Sequence, residues 1–283
     1  MRTLRLALLF GAVPLLGLGW PVTAPPTYEV YAIRFATEAS YPTRFLVAGA
    51  DSTRRTPLAF TVWLIRGGGR TVLMDAGFYR DKFIQSWKPV GFTKPSDALA
   101  AVGVKPGDVT DIIVSHIHWD HVDGADLFPR ARVWLQRQEF EHYTNDTGAV
   151  LDRAIDADDA KMLAALKSAG RVQLIPGDST EILPGITVFT GGKHTFASQF
   201  ATVNASLANG RTGTIVLASD NAYLYENLER HRPITQSLDT LSNLRAQERM
   251  MRLASEPRLI VPGHDVDVFV RFPKPGNGVA RIE

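Results

Sequence analysis

Residues 25–283 of this 283-residue chain read as one α/β domain, and three observations carry that reading. Apolar runs rich in β-branched and aromatic residues recur along the whole length, interleaved with stretches of helical period. The runs come in hairpin groups in both halves, so helices and strands are mixed rather than segregated. No linker, low-complexity segment or repeat divides the chain. With 45% hydrophobic and 21% charged residues, the composition is that of a globular protein with a sizeable core.

The first 24 residues are of another kind. "MRTLR" carries two arginines and no acid, "LALLFGAVPLLGLG" is a short apolar run, and "WPVTAPP" places Ala24 where a leader would be cut. This layout predicts a secretory signal peptide over residues 1–24, with an uncleaved N-terminal anchor as the alternative. The expected destination is the periplasm or the extracellular medium. Losing Arg2 and Arg5, and no acid, takes the formal charge from +2 to 0.

The elements follow in order. "TYEVYAIRFA" alternates as a strand does. "AFTVWLIRGGGRTVLMDAGF" is two apolar runs joined at Gly67-Gly68-Gly69, a hairpin signature. "PSDALAAVG" predicts a short helix, and "TDIIVSH" and "ARVWLQ" predict buried strands. Residues 137–170 read as mostly helical, most clearly in "DRAIDADDAKMLAALKSAG". "RVQLIP" and "GITVFTGG" predict strands, and "FATVNASLANGRTGTIVLASD" predicts a hairpin turning at Asn209-Gly210. A helix, "DTLSNLRAQERMMRLAS", precedes a last strand, "PRLIVPGHD".

Composition also excludes functions. There is no cysteine, so disulfides, thiolate metal ligands and cysteine nucleophiles are ruled out. No basic run or acidic tail points to nucleic acid. A membrane partner is expected only if the leader stays uncleaved, and the partner expected is a small-molecule substrate.

Three of the chain's seven histidines fall in "SHIHWDH". His116 and His118 are two apart, so in an extended segment they project to one side. Asp120 and His121 follow as the chain turns. Neutral imidazoles and carboxylates suit zinc and its neighbours. Four ligands so crowded do not wrap one ion comfortably, but they can serve two. Further ligands are then needed at other strand ends, and "ITVFTGGKH" supplies His194, "TIVLASD" supplies Asp220 and "RLIVPGH" supplies His264. Each ends an apolar run, and strand C-termini are where α/β proteins build sites. His142 and His231 lie in charged surroundings and read as surface residues.

The pattern HxHxDH followed by a later His, Asp and His resembles the metallo-β-lactamase-fold hydrolases. That resemblance implies a four-layer αββα sandwich with two metals at one edge, zinc foremost, with manganese, iron or cobalt also compatible. It implies one metal held by His116, His118 and His194, another by Asp120, His121 and His264, and Asp220 bridging both. Asp75 in "LMDAG" matches a position that orients a metal-bound histidine from behind, or else is an ordinary turn aspartate. "GGKHTFAS" departs from the family's usual Gly-His-Thr-Pro-Gly, which keeps the ligand and changes the loop.

Within the family the chain is most similar to the N-acyl homoserine lactonases. "SDNAYLYENLE" places Tyr223 three residues after Asp220, and "SHIHWDHVDGADLF" and "VWLQRQEFE" are similar too. A bridging aspartate counts against a β-lactamase. The resemblance implies lactone ring opening by a hydroxide shared between the metals. Asp120 would pass a proton, and Tyr223 would donate to the developing oxyanion, unless it packs at a helix start. Trp119 would line the pocket or simply pack. The walls that set acyl preference are expected to include residues 137–170. The competing expectations are an ester, organophosphate or β-lactam hydrolase of the same fold and a non-catalytic metal-binding protein.

Overall fold

Strands whose two faces are both apolar must be covered on both sides, and this requirement sets the architecture. A computed structural model describes residues 25–283, so the expected leader lies outside the described residues. The strands are β1 (Glu29–Pro42), β2 (Arg55–Gly67), β3 (Arg70–Met74), β4 (Asp111–Ile113), β5 (Arg132–Gln136), β6 (Val172–Ile175), β7 (Thr180–Leu183), β8 (Ile186–Thr190), β9 (Gln199–Ser206), β10 (Thr212–Ser219), β11 (Ile260–Pro262) and β12 (Val279–Ile282). They form a seven-stranded sheet in the order β12-β1-β2-β3-β4-β5-β6 and a five-stranded sheet in the order β11-β10-β9-β8-β7.

Alternation divides each strand between two cores. Val72, Met74 and Ile113 of the first sheet meet Val188, Val203 and Leu217 of the second. Their neighbours Leu73 and Ile112 face outward, against Phe140 of α4 (Arg137–Tyr143) and Leu163 of α5 (Ala157–Ser168). On the far side, Val216 and Ile260 pack under Ala246 and Met250 of α7 (Thr240–Leu253). Helix, sheet, sheet, helix is the αββα sandwich. The two longest helices, α5 and α7, are capped by aspartate: Asp156 accepts from the Asp158 amide, and Asp239 from the Ser242 amide. Among the described residues no helix is long and apolar enough to cross a membrane.

Several expectations are corrected. Residues 144–156 are not helical: Asn145 Oδ1 accepts from the Thr147 and Ala149 amides, and Gly148 sits at φ +74°, so the chain turns there. Helix α2 (Pro95–Ala98) lies within the expected "PSDALAAVG" and α6 (Tyr225–Glu229) starts just after Tyr223, but β7, β12 and the short helices α1 (Asp81–Trp87) and α3 (Trp119–Val122) had no assigned segment. β12 pairs antiparallel with β1, Val30 opposite Ile282, and closes that edge.

Candidate metal centre

The parallel run β3-β4-β5 and the parallel pair β10-β11 end on the same side of the molecule, and the ligands leave from those ends. His116 and His118 lie in the bend after β4, and Asp120 and His121 on α3. Asp220 directly follows β10, His264 follows β11, and His194 follows β8. All seven predicted ligands come together.

They gather as two half-sites. His118 Nδ1 is 3.1 Å from His116 Nε2 and 2.9 Å from His194 Nε2, and Asp220 Oδ2 is 3.7 and 3.4 Å from those two Nε2 atoms. Asp220 Oδ1 lies 3.3 Å from His121 Nε2 and 3.0 Å from His264 Nε2, with Asp120 Oδ2 3.5 and 3.7 Å from the same atoms. One Asp220 oxygen thus faces each half-site.

The opposite ring nitrogens explain why the lone pairs converge. His194 Nδ1 donates to the Gln236 main-chain carbonyl (2.8 Å), His264 Nδ1 to that of Ala59 (3.0 Å), and His121 Nδ1 to Asp75 Oδ2 (2.8 Å). Those acceptors hold no proton to give, so in the neutral ring each Nε2 is the lone pair.

The donor set fits divalent ions. Ligand atoms on a tetrahedral ion at roughly 2.0–2.1 Å lie about 3.3 Å apart, the spacing seen here. Among the described residues His121 Nε2 and Asp220 Oδ1 are buried without a hydrogen-bond partner. Gly263 leaves room for the bridge, because a Cβ there would stand 2.8 Å from Asp220 Oδ1. Burial drives His118 down to about 3 and His116 and His194 below their ordinary value, which is the neutral, ligating form. Burial opposes the charge on Asp220 and Asp120, but the facing His121 and His264 outweigh it and hold both carboxyls low, while against the same burial the carboxylates raise both imidazoles, whose positive charge a bound ion would replace.

Residues that carried no sequence signal hold the ligand loops. Glu139, fully buried, accepts from the amides of Ile117 (3.3 Å) and Ala197 (2.6 Å) and from the Thr195 hydroxyl, tying the His118 loop to the His194 loop. Asn221 Oδ1 accepts from the Gly192 amide, and its Nδ2 donates to the Ala218 carbonyl. Asp75 does stand behind His121, as its position suggested. His142 is half-buried rather than a plain surface residue, stacked on Phe196 at 4.0 Å. His231 is at the surface, half-exposed.

A cleft of about 220 Å³ opens over the centre, lined by Tyr41, Phe60, Trp87, Trp119, Asp120 and Tyr223 among others. Trp119 therefore lines the pocket, packed between Phe83 and Trp87. Residues 137–170 do not reach this cleft. His142, Tyr143 and Asp152 border a second hollow that shares His118 and Gln236 with the first. Tyr223 is buried, its hydroxyl 3.3 Å from Gln236 Oε1 and 3.4 Å from His194 Nδ1.

Residues 55–197 match the sequence profile of the Metallo-beta-lactamase superfamily. The chain belongs to that superfamily. N-acyl homoserine lactonase AiiA of Bacillus thuringiensis subsp. kurstaki is 26% identical over 170 residues, 60% of this chain and 61% of the relative. The matched region thus spans less than two thirds of that relative's length. In structure, this superfamily member aligns with B. thuringiensis AiiA carrying N-decanoyl-L-homoserine at its active site. That alignment has a TM-score of 0.70 at 20% identity, over 87% of this chain and 97% of the other. AidC, a dizinc quorum-quenching lactonase, aligns with a TM-score of 0.61 at 13% identity, over 86% and 92%. These likenesses establish the αββα fold.

Proposed function

We propose that this protein is a metal-dependent hydrolase that opens lactone rings, with N-acyl homoserine lactones as its substrates and two divalent ions, zinc foremost, as its cofactors. The observation that carries the reading is the double half-site bridged by Asp220 and open to a cleft with an aromatic wall. A pair of divalent ions bound there would supply Lewis-acid polarisation of a carbonyl and a water of lowered pKa.

The chain's own groups do the rest. His116, His118 and His194 would hold one ion and Asp120, His121 and His264 the other, with Asp220 facing both. Asp120 lines the cleft as an ionised carboxylate, placed to take up and pass on a proton as the ring opens. Burial raises the Tyr223 phenol well above its ordinary range, so it stays protonated and donates to the carbonyl oxygen as charge builds there. Its bond to Gln236 is long, which leaves the hydrogen free to turn to substrate. Tyr41, Phe60, Trp87 and Trp119 give the acyl chain an apolar surface. The name borne by the curated relatives supports the choice of ring.

Purified protein assayed against N-acyl homoserine lactones, simple esters, an organophosphate triester and nitrocefin tests this. The highest kcat/KM is expected on the lactones, and a preference for any other class would overturn the substrate assignment. We also place the protein outside the cytoplasm, on the leader-like residues 1–24. A reporter fused after Pro26 should reach the periplasm or medium, and an intact N-terminus on soluble cytoplasmic protein would refute export.

A further inference from the structure

Behind the ligands, away from the cleft, a buried file of hydrogen bonds runs from one half-site to the other. His116 Nδ1 is 2.9 Å from Ser115 Oγ, which is 2.8 Å from Ser219 Oγ. Ser219 Oγ is 3.0 Å from Asp75 Oδ2, and His121 Nδ1 reaches the same oxygen at 2.8 Å. All five residues are at most 2% exposed, so bulk water does not compete for these bonds.

Counting hydrogens gives the file a direction. With its Nε2 turned to the ligand cluster, His116 carries its hydrogen on Nδ1 and donates to Ser115 Oγ. The Ser115 hydroxyl is then free to donate only onward, to Ser219 Oγ. Ser219 in turn donates to Asp75 Oδ2, a carboxylate oxygen that accepts. His121 Nδ1 donates to that oxygen from the other side. Every donor has an acceptor, and no hydrogen is used twice.

The backbone is bent to make this possible. Asp75 and Ser219 sit at φ +61° and +45°, the left-handed region that side-chain-bearing residues rarely adopt. Strain of this kind persists where the surroundings over-determine it. At Ser219 it turns the hydroxyl toward Asp75 while the next residue, Asp220, points into the metal centre. Asp75 Oδ1 meanwhile accepts from the Ser115 amide (2.7 Å), fixing the other end of the file.

We propose that Ser219 is a positioning residue: through Ser115 it ties His116 to the carboxylate that also holds His121. The two half-sites are thereby set as one unit from behind, as Asp220 joins them in front. The inference rests on the metal-centre reading above.

The test is zinc affinity, measured by competition with a chromophoric chelator on the full chain and on Ser115→Ala, Ser219→Ala and the double variant. Each single substitution should weaken zinc binding on the order of tenfold, the size of effect that outer-shell partners of metal ligands produce. The double variant should be hardly weaker than the worse single one, because both break the same file. Losses that multiply would overturn the proposal. Ser219→Gly, which relaxes the backbone, should lose as much as Ser219→Ala, and near wild-type affinity in the glycine variant would assign the effect to strain and overturn the relay. If Ser219→Ala does not fold, Ser115→Ala decides by a second readout. In zinc-loaded protein with 15N-labelled histidine, the Nδ1–H signal of His121 should move although the Ser115 side chain does not touch that ring, and an unmoved signal would sink the relay. A wild-type chain that binds no zinc would refute the metal-centre reading itself, a result distinct from all of these.

Discussion

At the scale of single residues, two buried acids of different strength make separate predictions. Tyr223 stays protonated because burial raises its phenol well above the ordinary range. Tyr223→Phe removes one donor and little volume, so fold and metal content should be unchanged. Losing a lone oxyanion donor costs roughly a hundredfold or more in turnover, and sharing the task with a metal reduces that to about tenfold here. The loss should fall on kcat and be flat from pH 6 to 9. Wild-type kinetics on every active lactone would leave Tyr223 a packing residue. Glu139 behaves otherwise: burial raises its carboxyl to about 7, against the pull of the Thr195, Ala197 and Ile117 donors. A raised carboxyl pKa means that the folded state holds the proton more tightly. The stabilisation is complete below the unfolded value near 4.5 and is lost as pH rises through about 7. Glu139→Gln has no such titration. The stability of wild type relative to this variant should therefore grow as pH falls from 7.5 to 5, by on the order of 3 kcal/mol. Chemical denaturation at several pH values would show it, and a difference that is flat with pH would place the Glu139 carboxyl outside this range.

At the scale of elements, what the sequence made legible depended on length and on chemistry. The ligand-bearing strands could be read because each apolar run stops at a His or Asp. In Ile112–Ile113 and Leu217 the burial is so complete that the run is unbroken. β7 and β12 are four residues each, "TEIL" and "VARI", too short for a period to emerge from their neighbours. Residues 144–156 read as helical because helix-forming residues follow "NDTG", and the turn made by the Asn145 side chain overrode them. Glu139 and Ser219 lie in segments that resemble the lactonases, yet nothing in those segments singled them out, because their roles come from which loops fold against them. Helix α1 had no assigned segment for the same reason of length, yet it carries Trp87 to the cleft wall, against Trp119 at 5.2 Å and Tyr41 at 5.8 Å. A surface of that kind gains about 0.8 kcal/mol for each methylene it covers. Trp87→Ala should therefore raise KM for a decanoyl lactone on the order of tenfold and change it less than threefold for a butanoyl lactone. An equal effect on both chain lengths would remove Trp87 from the acyl surface.

At the scale of the whole molecule, the metal centre is a seam between the two sheets. The seven-stranded sheet contributes His116, His118, Asp120 and His121, which follow β4, while the five-stranded sheet contributes His194, Asp220 and His264, which follow β8, β10 and β11. Neither sheet alone completes a half-site: His194 joins His116 and His118 from across the seam, and His264 joins Asp120 and His121. Without cations the seam gathers two carboxylates and a set of inward ring nitrogens, with His121 Nε2 and Asp220 Oδ1 unpartnered among the described residues. A bound ion relieves this only in the folded state, so binding adds to folding stability. For an ion at 1,000 times its dissociation constant the gain is about 4.1 kcal/mol. In a chain of this size each kcal/mol moves the midpoint by roughly 2–4 °C, so chelation should lower Tm by on the order of 10 °C and zinc should restore it. Because the seam joins the sheets, hydrogen exchange after chelation should quicken first in the loops after β4 and β10. The amides of the other end of the β1–β2 pair, where Val30 lies opposite Ile65 and Ala32 opposite Trp63, should stay protected. A Tm indifferent to both chelator and added zinc would mean that the sandwich is held by its apolar core alone and that the ligands are preformed without contributing to stability.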